Sequence, residues 1–371
     1  MKKIYGSLLF ILINSSFLIA QIPLLVSPSG GNKKAFVGEQ IGLTRVIINY
    51  DRPGVKGREG KIWGTSVVHT GFINLGFGNA QQAPWRAGSN ENTTIEFSTD
   101  VKINGQALPA GKYGFFVAYF PDESILIFSK NSSSWGSYYY NEKEDALRVK
   151  VKPQALEKNV EWLKYEFMNQ TENSAVVGLQ WEKLMITFTV EVDYVQTQLE
   201  SFRKELRSEK GFTWQSWQQA AEWCLQRDVN LEQALQWADS ASSPIFGGDK
   251  EFQTHATKSQ ILEKSGKSDE AAQEMKKTLP LGSMLDIHQY GRKLLILKKN
   301  KEALEVFKSN FQKYPNQFTT LMGLVRGHSA NGDFKTALKF AQQALPLAPD
   351  ANNKTSVENI IKKLQEGKDV N

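Results

Sequence analysis

The chain has 371 residues, with 45 Lys or Arg against 39 Asp or Glu, 40% hydrophobic residues and one cysteine. This length leaves room for two domains, and the single Cys224 excludes an intrachain disulfide. Residues 21–195 hold 18 basic and 18 acidic side chains and residues 196–371 hold 25 and 21. That mild, dispersed excess lacks the basic stripe of a nucleic-acid-binding face, so nucleic acid is not an expected partner.

Lys2-Lys3 precedes an apolar run from Ile4 through Leu18, which ends at Ala20-Gln21. A charged start, a short apolar stretch and a small terminal residue predict a secretory signal peptide over 1–20. The run is broken by Asn14, Ser15 and Ser16, unlike the roughly 20 apolar residues of a spanning helix. The expectation is export to the periplasm or medium, with no transmembrane segment after cleavage.

From Phe36 to Val192 the apolar period is close to two. Leu163, Tyr165 and Phe167 alternate with Lys164 and Glu166, and Leu184, Ile186, Phe188, Val190 and Val192 follow the same rule. Such alternation predicts antiparallel sheets with one face on a core. Asn104-Gly105 between Val101-Lys102-Ile103 and Gln106-Ala107-Leu108 predicts a tight hairpin. Gly88 and Gly111 are read as turn glycines with positive φ. About eight short strands point to an all-β antiparallel sandwich or jelly-roll-like domain over 27–193.

A series of motifs follows in order: Ile48-Asn49-Tyr50-Asp51-Arg52-Pro53, Val55-Lys56-Gly57-Arg58, Ile62-Trp63-Gly64, Trp85-Arg86-Ala87-Gly88-Ser89-Asn90-Glu91, Leu108-Pro109-Ala110-Gly111-Lys112-Tyr113-Gly114, Ser134-Trp135-Gly136 and Asp145-Ala146-Leu147-Arg148-Val149. The series resembles the domain-of-unknown-function 2911 family, an exported bacterial domain that often precedes tetratricopeptide-like repeats. The resemblance brings no reaction or substrate with it. One departure is the long connection Thr65 to Pro84, which carries His69, Phe72 and Phe77, and a ligand site formed there in relatives is expected to be reshaped or covered.

No catalytic residues, cofactor or metal site are assigned. The chain has no Gly-x-Ser-x-Gly elbow and no phosphate-binding glycine motif, and His69, His255, His288 and His328 stand apart without metal-ligand spacing. The strongest polar constellation is Arg52, Arg58, Arg86, Asn90 and Glu91 among Trp85 and Trp135. Arginine forks suit carboxylates and aromatic faces suit sugars or guanidinium groups, so these seven residues are the candidate ligand site. The competing reading pairs Arg86 with Glu91 and buries Trp85 and Trp63 as core.

The second half changes period. Residues 194–212 predict an amphipathic linker helix docking the two halves, with Leu199, Phe202 and Leu206 on one face. Alanines 234, 271, 303 and 337 then recur in similar settings, about 34 residues apart, which predicts an all-α tetratricopeptide-like solenoid over 213–367. Pro280, Pro315 and Pro349 are expected to stop the second helices, and Glu358 to Glu366 to form a terminal cap. The first repeat, with Trp214, Trp217, Trp223 and Trp237, is expected to cap against the sandwich. The concave face of the first helices is the expected partner surface, including Tyr290, Arg292, Arg326 and His328.

The function expected is a non-enzymatic, exported binding or scaffold protein of the cell envelope, whose repeats hold a protein or peptide partner. The alternative is a carbohydrate- or anion-binding module, or an uncharacterised enzyme, using a pocket on the sandwich. Oligomeric state is not set by the sequence.

Overall fold

The computed structural model describes residues 31–79 and 82–371. The expected signal segment 1–20, the start of the 27–193 domain and two residues of the 65–84 connection lie outside them. The chain divides into two compact units between Gln198 and Leu199.

The first unit contains, among the described residues, strands β1 (Lys33–Ile41), β2 (Thr44–Arg52), β3 (Thr93–Phe97), β4 (Val101–Ile103), β5 (Gln106–Leu108), β6 (Gly111–Ala118), β7 (Ser124–Ser129), β8 (Asp145–Val151), β9 (Gln154–Met168) and β10 (Ser174–Glu191). They form two antiparallel sheets, in the orders β1-β2-β3-β6-β7-β8 and β5-β4-β10-β9. A shared core holds Ile48, Ile95, Phe115 and Phe128 from one sheet against Leu163, Leu179 and Phe188 from the other. This is the sandwich that the alternation called for. Leu163, Tyr165 and Phe167 are buried while Lys164 and Glu166 stay in partial contact with solvent.

Local chemistry explains the exceptions. Six consecutive residues of β6, Tyr113 to Ala118, are buried, because the strand is covered on both faces. The second cover is the long connection, whose Phe72 and Leu75 pack on Ala83, Phe116, Ile127 and Tyr140. Asn104 (φ 47°) and Gly105 (φ 79°) turn between the paired Ile103 and Gln106, the geometry of a type I′ hairpin. Gly111 has the expected positive φ, but Gly88 does not; Ala87 and Asn90 take the left-handed positions instead. Gly88 is required for space, since a Cβ there would lie 2.7 Å from Thr93 Oγ1 and 3.2 Å from the Asp51 carbonyl oxygen.

The second unit carries the helices. α1 (Tyr194–Glu205) crosses the division and ends before a short 3-10 turn at Glu209–Phe212, so 194–212 is not one continuous helix. Ser208 caps the turn by accepting from the Lys210 N–H, which breaks the helical ladder there. Four pairs follow: α2 (Trp214–Arg227) with α3 (Leu231–Ala241), α4 (Phe252–Lys264) with α5 (Ser268–Thr278), α6 (Met284–Ile296) with α7 (Asn300–Lys313), and α8 (Phe318–Ala330) with α9 (Phe334–Ala344). The four repeating alanines, Ala234, Ala271, Ala303 and Ala337, are all buried, as small residues must be where neighbouring helices press close. The half is a tetratricopeptide-like helical solenoid.

Helix ends differ in detail from the expected stops. Pro346, in the 3-10 turn Leu345–Leu347, ends α9, whereas Pro349 precedes the cap of α10 (Ala351–Gln365). That last helix begins earlier than Glu358 because Asp350 accepts from the Asn353 N–H at 2.8 Å. In the first repeat, Trp223 and Trp237 meet Phe202 edge-on at 5.7 and 5.9 Å, and Trp217 meets Phe246 at 5.0 Å. Of these, Trp237 is buried and Trp217 and Trp223 are partly buried. Cys224 is buried there, and burial pushes its thiol up to about 11, which leaves it unreactive.

Candidate functional site

A cleft of about 600 Å³ opens on the sandwich, lined by four of the seven predicted ligand residues: Arg58, Trp85, Arg86 and Asn90. Its walls come from several places, Ser137, Tyr138 and Trp181 among them. The Pro53-Gly54-Val55 segment runs beside β9, with Val55 N donating to Glu161 O at 2.8 Å and Leu163 N donating to Pro53 O at 3.0 Å. The loop before β3 supplies Trp85 to Asn90, and the long connection supplies Ser66, Val67, His69 and Leu75. The connection therefore forms a wall of the cleft and does not close it.

The loop from Trp85 to Asn90 is held from beneath. Trp85 pairs in a bridge with Val117 and stacks on Trp181, with ring centroids 6.1 Å apart and planes at 16°. Trp63 meets Trp85 edge-on at 5.6 Å. The carbonyl of Ala87 accepts from Tyr165 Oη at 2.7 Å and from Thr93 Oγ1 at 3.1 Å. Burial pushes the Tyr165 phenol well above its ordinary range, so it remains a donor. With its neighbour clamped in this way, Arg86 turns over the Tyr138 ring, 5.0 Å from Cζ to the centroid, and its Nη1 donates to Asn90 O at 2.6 Å.

Gly136 makes this pose possible. Its φ is +59°, and a Cβ would fall 2.2 Å from Arg86 Cζ. The glycine of the Ser134-Trp135-Gly136 motif is thus a seat for a guanidinium, while Trp135 itself is 55% exposed and does not line the cleft.

The electrostatics are one-sided. Lys56, Arg58 and Arg86 line the cleft and no Asp or Glu does. Arg58 donates from Nε and Nη2 to the carbonyls of Val55 and Gly54 at 3.0 and 2.8 Å. Among the described residues neither arginine forms an ion pair with a carboxylate. Buried polar atoms ordinarily find partners. Yet His69 Nδ1, Ser89 Oγ, Ser137 Oγ and Trp181 Nε1, four of ten such unpartnered atoms among the described residues, all belong to residues of this cleft. Burial holds the His69 imidazole below its usual pKa.

Three predicted residues lie elsewhere. Glu91 does not pair with Arg86; it pairs with Lys34 at 2.5 Å, beside the buried Asp51, in a separate shallow cleft. That hydrogen bond from Lys34 holds Glu91 below its usual range, while burial raises Asp51. Arg52 Nε donates to Leu163 O at 2.9 Å, tying β2 to β9. The competing reading is thus half right: Trp85 is core, but Arg86 is not paired in the sheet. Sequence reasoning missed Lys56, His69, Ser89, Ser137 and Tyr138, since only folding brings the 65–84 connection and the Tyr138 loop to the same place.

On the repeats, the four predicted partner residues do not share one face. Arg292 stands four residues after His288 on α6, and residues spaced so on a helix share a face. Burial first, then the positive charges of Arg326 and Arg292, press the His288 imidazole down to about 4. Burial and Arg292 likewise lower Arg326, with Asp369 opposing. Tyr290 lines two adjoining cavities of about 690 and 700 Å³ between the second and third helix pairs. His328 instead meets Phe340 at 5.6 Å and Asp333 Oδ2 at 3.1 Å, so it is occupied within its own pair. Among the described residues no group of three or more His, Cys, Asp or Glu could hold a metal.

The architecture defines a two-part protein, an antiparallel β-sandwich followed by tetratricopeptide-like repeats. Residues 32–190 match the family described as "Protein of unknown function (DUF2911)", the family that the ordered motifs resemble. No curated protein matches the chain. Among solved structures, the chain is similar to MamA 41-end from Desulfovibrio magneticus RS-1, at 16% identity over 43% of this chain and 95% of that one, with a TM-score of 0.29. It is also similar to YrrB, described as a TPR protein with an unusual peptide-binding site, at 16% identity over 46% and 86%, with a TM-score of 0.31. The repeat assignment rests on the helix pairs and their buried alanines.

Proposed function

We propose that the protein is an exported binding protein of the bacterial cell envelope, whose repeats hold a protein or peptide partner through an acidic segment. The observation that supports this reading is the α6–α8 face. Burial first, then the charges of Arg326 and Arg292, keeps His288 neutral, and burial and Arg292 lower the half-buried Arg326 against the opposing charge of Asp369. Neither arginine is in an ion pair among the described residues, so an incoming carboxylate would relieve that repulsion. Reversing both charges, Arg292→Glu with Arg326→Glu, is expected to weaken partner recovery from envelope extracts by about 30-fold or more at an unchanged melting temperature. Undiminished recovery by the double variant would reject this face.

Export rests on Lys2-Lys3 and the apolar run from Ile4 to Leu18. The protein recovered from the periplasmic fraction or the medium is expected to lack residues 1–20, as read by N-terminal sequencing. An intact Lys2-Lys3 terminus on cytosolic protein would overturn that part.

A further inference from the structure

We infer that the sandwich cleft is a binding site for a small organic oxyanion, a carboxylate or phosphate carried on a compact polar body. The site lies in the other half of the chain from the repeats, and it stands or falls independently of them.

Three features carry the inference together. The first is charge: Lys56, Arg58 and Arg86 converge on one cleft that no carboxylate lines. Arg58 and Arg86 are partly buried, whereas Lys56 is exposed; partly buried cations without counter-ions are costly, and the cost is reduced by an anion that exchanges water for charge-assisted hydrogen bonds. The second is preorganisation. Tyr138 and Asn90 O hold the Arg86 guanidinium in place, Gly136 leaves it room, and no further hydrogen bond of Arg86 is made among the described residues. A planar fork held in this way, with donors to spare, suits a two-oxygen acceptor better than a point charge does.

The third feature is the polar lining. Ser137 and Trp181 are 2% and 1% exposed, yet Ser137 Oγ and Trp181 Nε1 have no partner, and neither do Ser89 Oγ and His69 Nδ1. Four of the ten unmatched buried polar atoms among the described residues thus belong to this one cleft, and buried polar groups left unmatched call for an explanation such as a ligand. A site of about 600 Å³ falls within the range of small-molecule pockets. The large aromatic faces are not open, since Trp85 and Trp181 are buried against each other and Arg86 lies over Tyr138. Neutral sugars, which bind by stacking on such faces, are therefore not expected.

The test is calorimetric titration of the full mature chain with inorganic phosphate, citrate, glucuronate and, as the neutral control, glucose. At least one anion should bind with a Kd below about 1 mM, and glucose should not. Phosphate binding without citrate or glucuronate would define a phosphate site, and the converse a carboxylate site. Arg86→Lys keeps the charge but loses the fork, and it should weaken binding about tenfold or more at an unchanged melting temperature. Gly136→Ala, which displaces the guanidinium, should weaken it at least as much. Arg45→Ala, away from the cleft, should leave it intact. No binding of any anion by the wild-type chain, or equal binding by wild type, Arg86→Lys and Gly136→Ala, would overturn the proposal.

Discussion

Replacing Phe307 by alanine is expected to destabilise the repeat half by about 3–5 kcal/mol. Phe307 is fully buried on α7, and three glycines of the flanking helices are shaped around it. A Cβ at Gly291, Gly323 or Gly327 would come within 2.5, 2.6 or 3.0 Å of its ring. α6 and α8 can approach each other only because these positions lack side chains. Removing the ring leaves a cavity that three glycines cannot fill, and close-packed interiors relax only in part. Denaturant unfolding followed by far-ultraviolet circular dichroism reads the helices directly. The opposite error, Gly323→Leu, should also destabilise, by overpacking the same spot. A shift of less than about 1 kcal/mol for Phe307→Ala would show that the third and fourth pairs do not depend on this ring.

The second large effect is in pH. His288 packs 5.5 Å from the Phe307 ring, its Nδ1 has no partner, and it is held neutral down to about 4, against an ordinary value of 6.5. The groups facing it are Arg292 on its own helix and Arg326 on α8, both cationic throughout this range. Because the unfolded chain takes up the proton first, the stability contributed by neutral His288 is present above 6.5 and is lost as pH falls toward 4. The shift corresponds to about 3 kcal/mol at most, reduced to roughly 2 by residual solvent contact. Carboxylates titrate in the same window, so the informative quantity is the difference between wild type and His288→Leu. The wild-type chain should lose about 2 kcal/mol more than the variant between about pH 7 and about pH 4. Parallel pH profiles would mean that His288 is solvated and easily protonated in the fold.

Much of this molecule was legible along the chain because the signals are local. Period-two alternation marked β9 and β10, Asn104-Gly105 marked the hairpin, and the recurring alanines marked the stacking of helix pairs. Where the reading went astray, a distant partner was responsible. Gly88 is a glycine because Thr93 and the Asp51 carbonyl crowd it, not because its own φ demands one. Glu91 pairs with Lys34, a residue 57 positions away, and not with nearby Arg86. His328 and Arg326 lie two apart on one helix, and that spacing turns them to different neighbours.

The sequence by itself determined the two architectures and named Arg58, Arg86, Asn90 and Trp85, which meet in the sandwich cleft. Those follow from periodicity and residue chemistry, which the chain carries position by position. Tertiary structure alone decided which of those side chains share a cleft. It alone placed His69, Ser137 and Tyr138 in one cleft with Arg86, left His69 Nδ1 and Ser137 Oγ unmatched, and drew Arg292, His288 and Arg326 together. These are long-range juxtapositions, set by how sheets and helices close around their cores, and no local pattern records them.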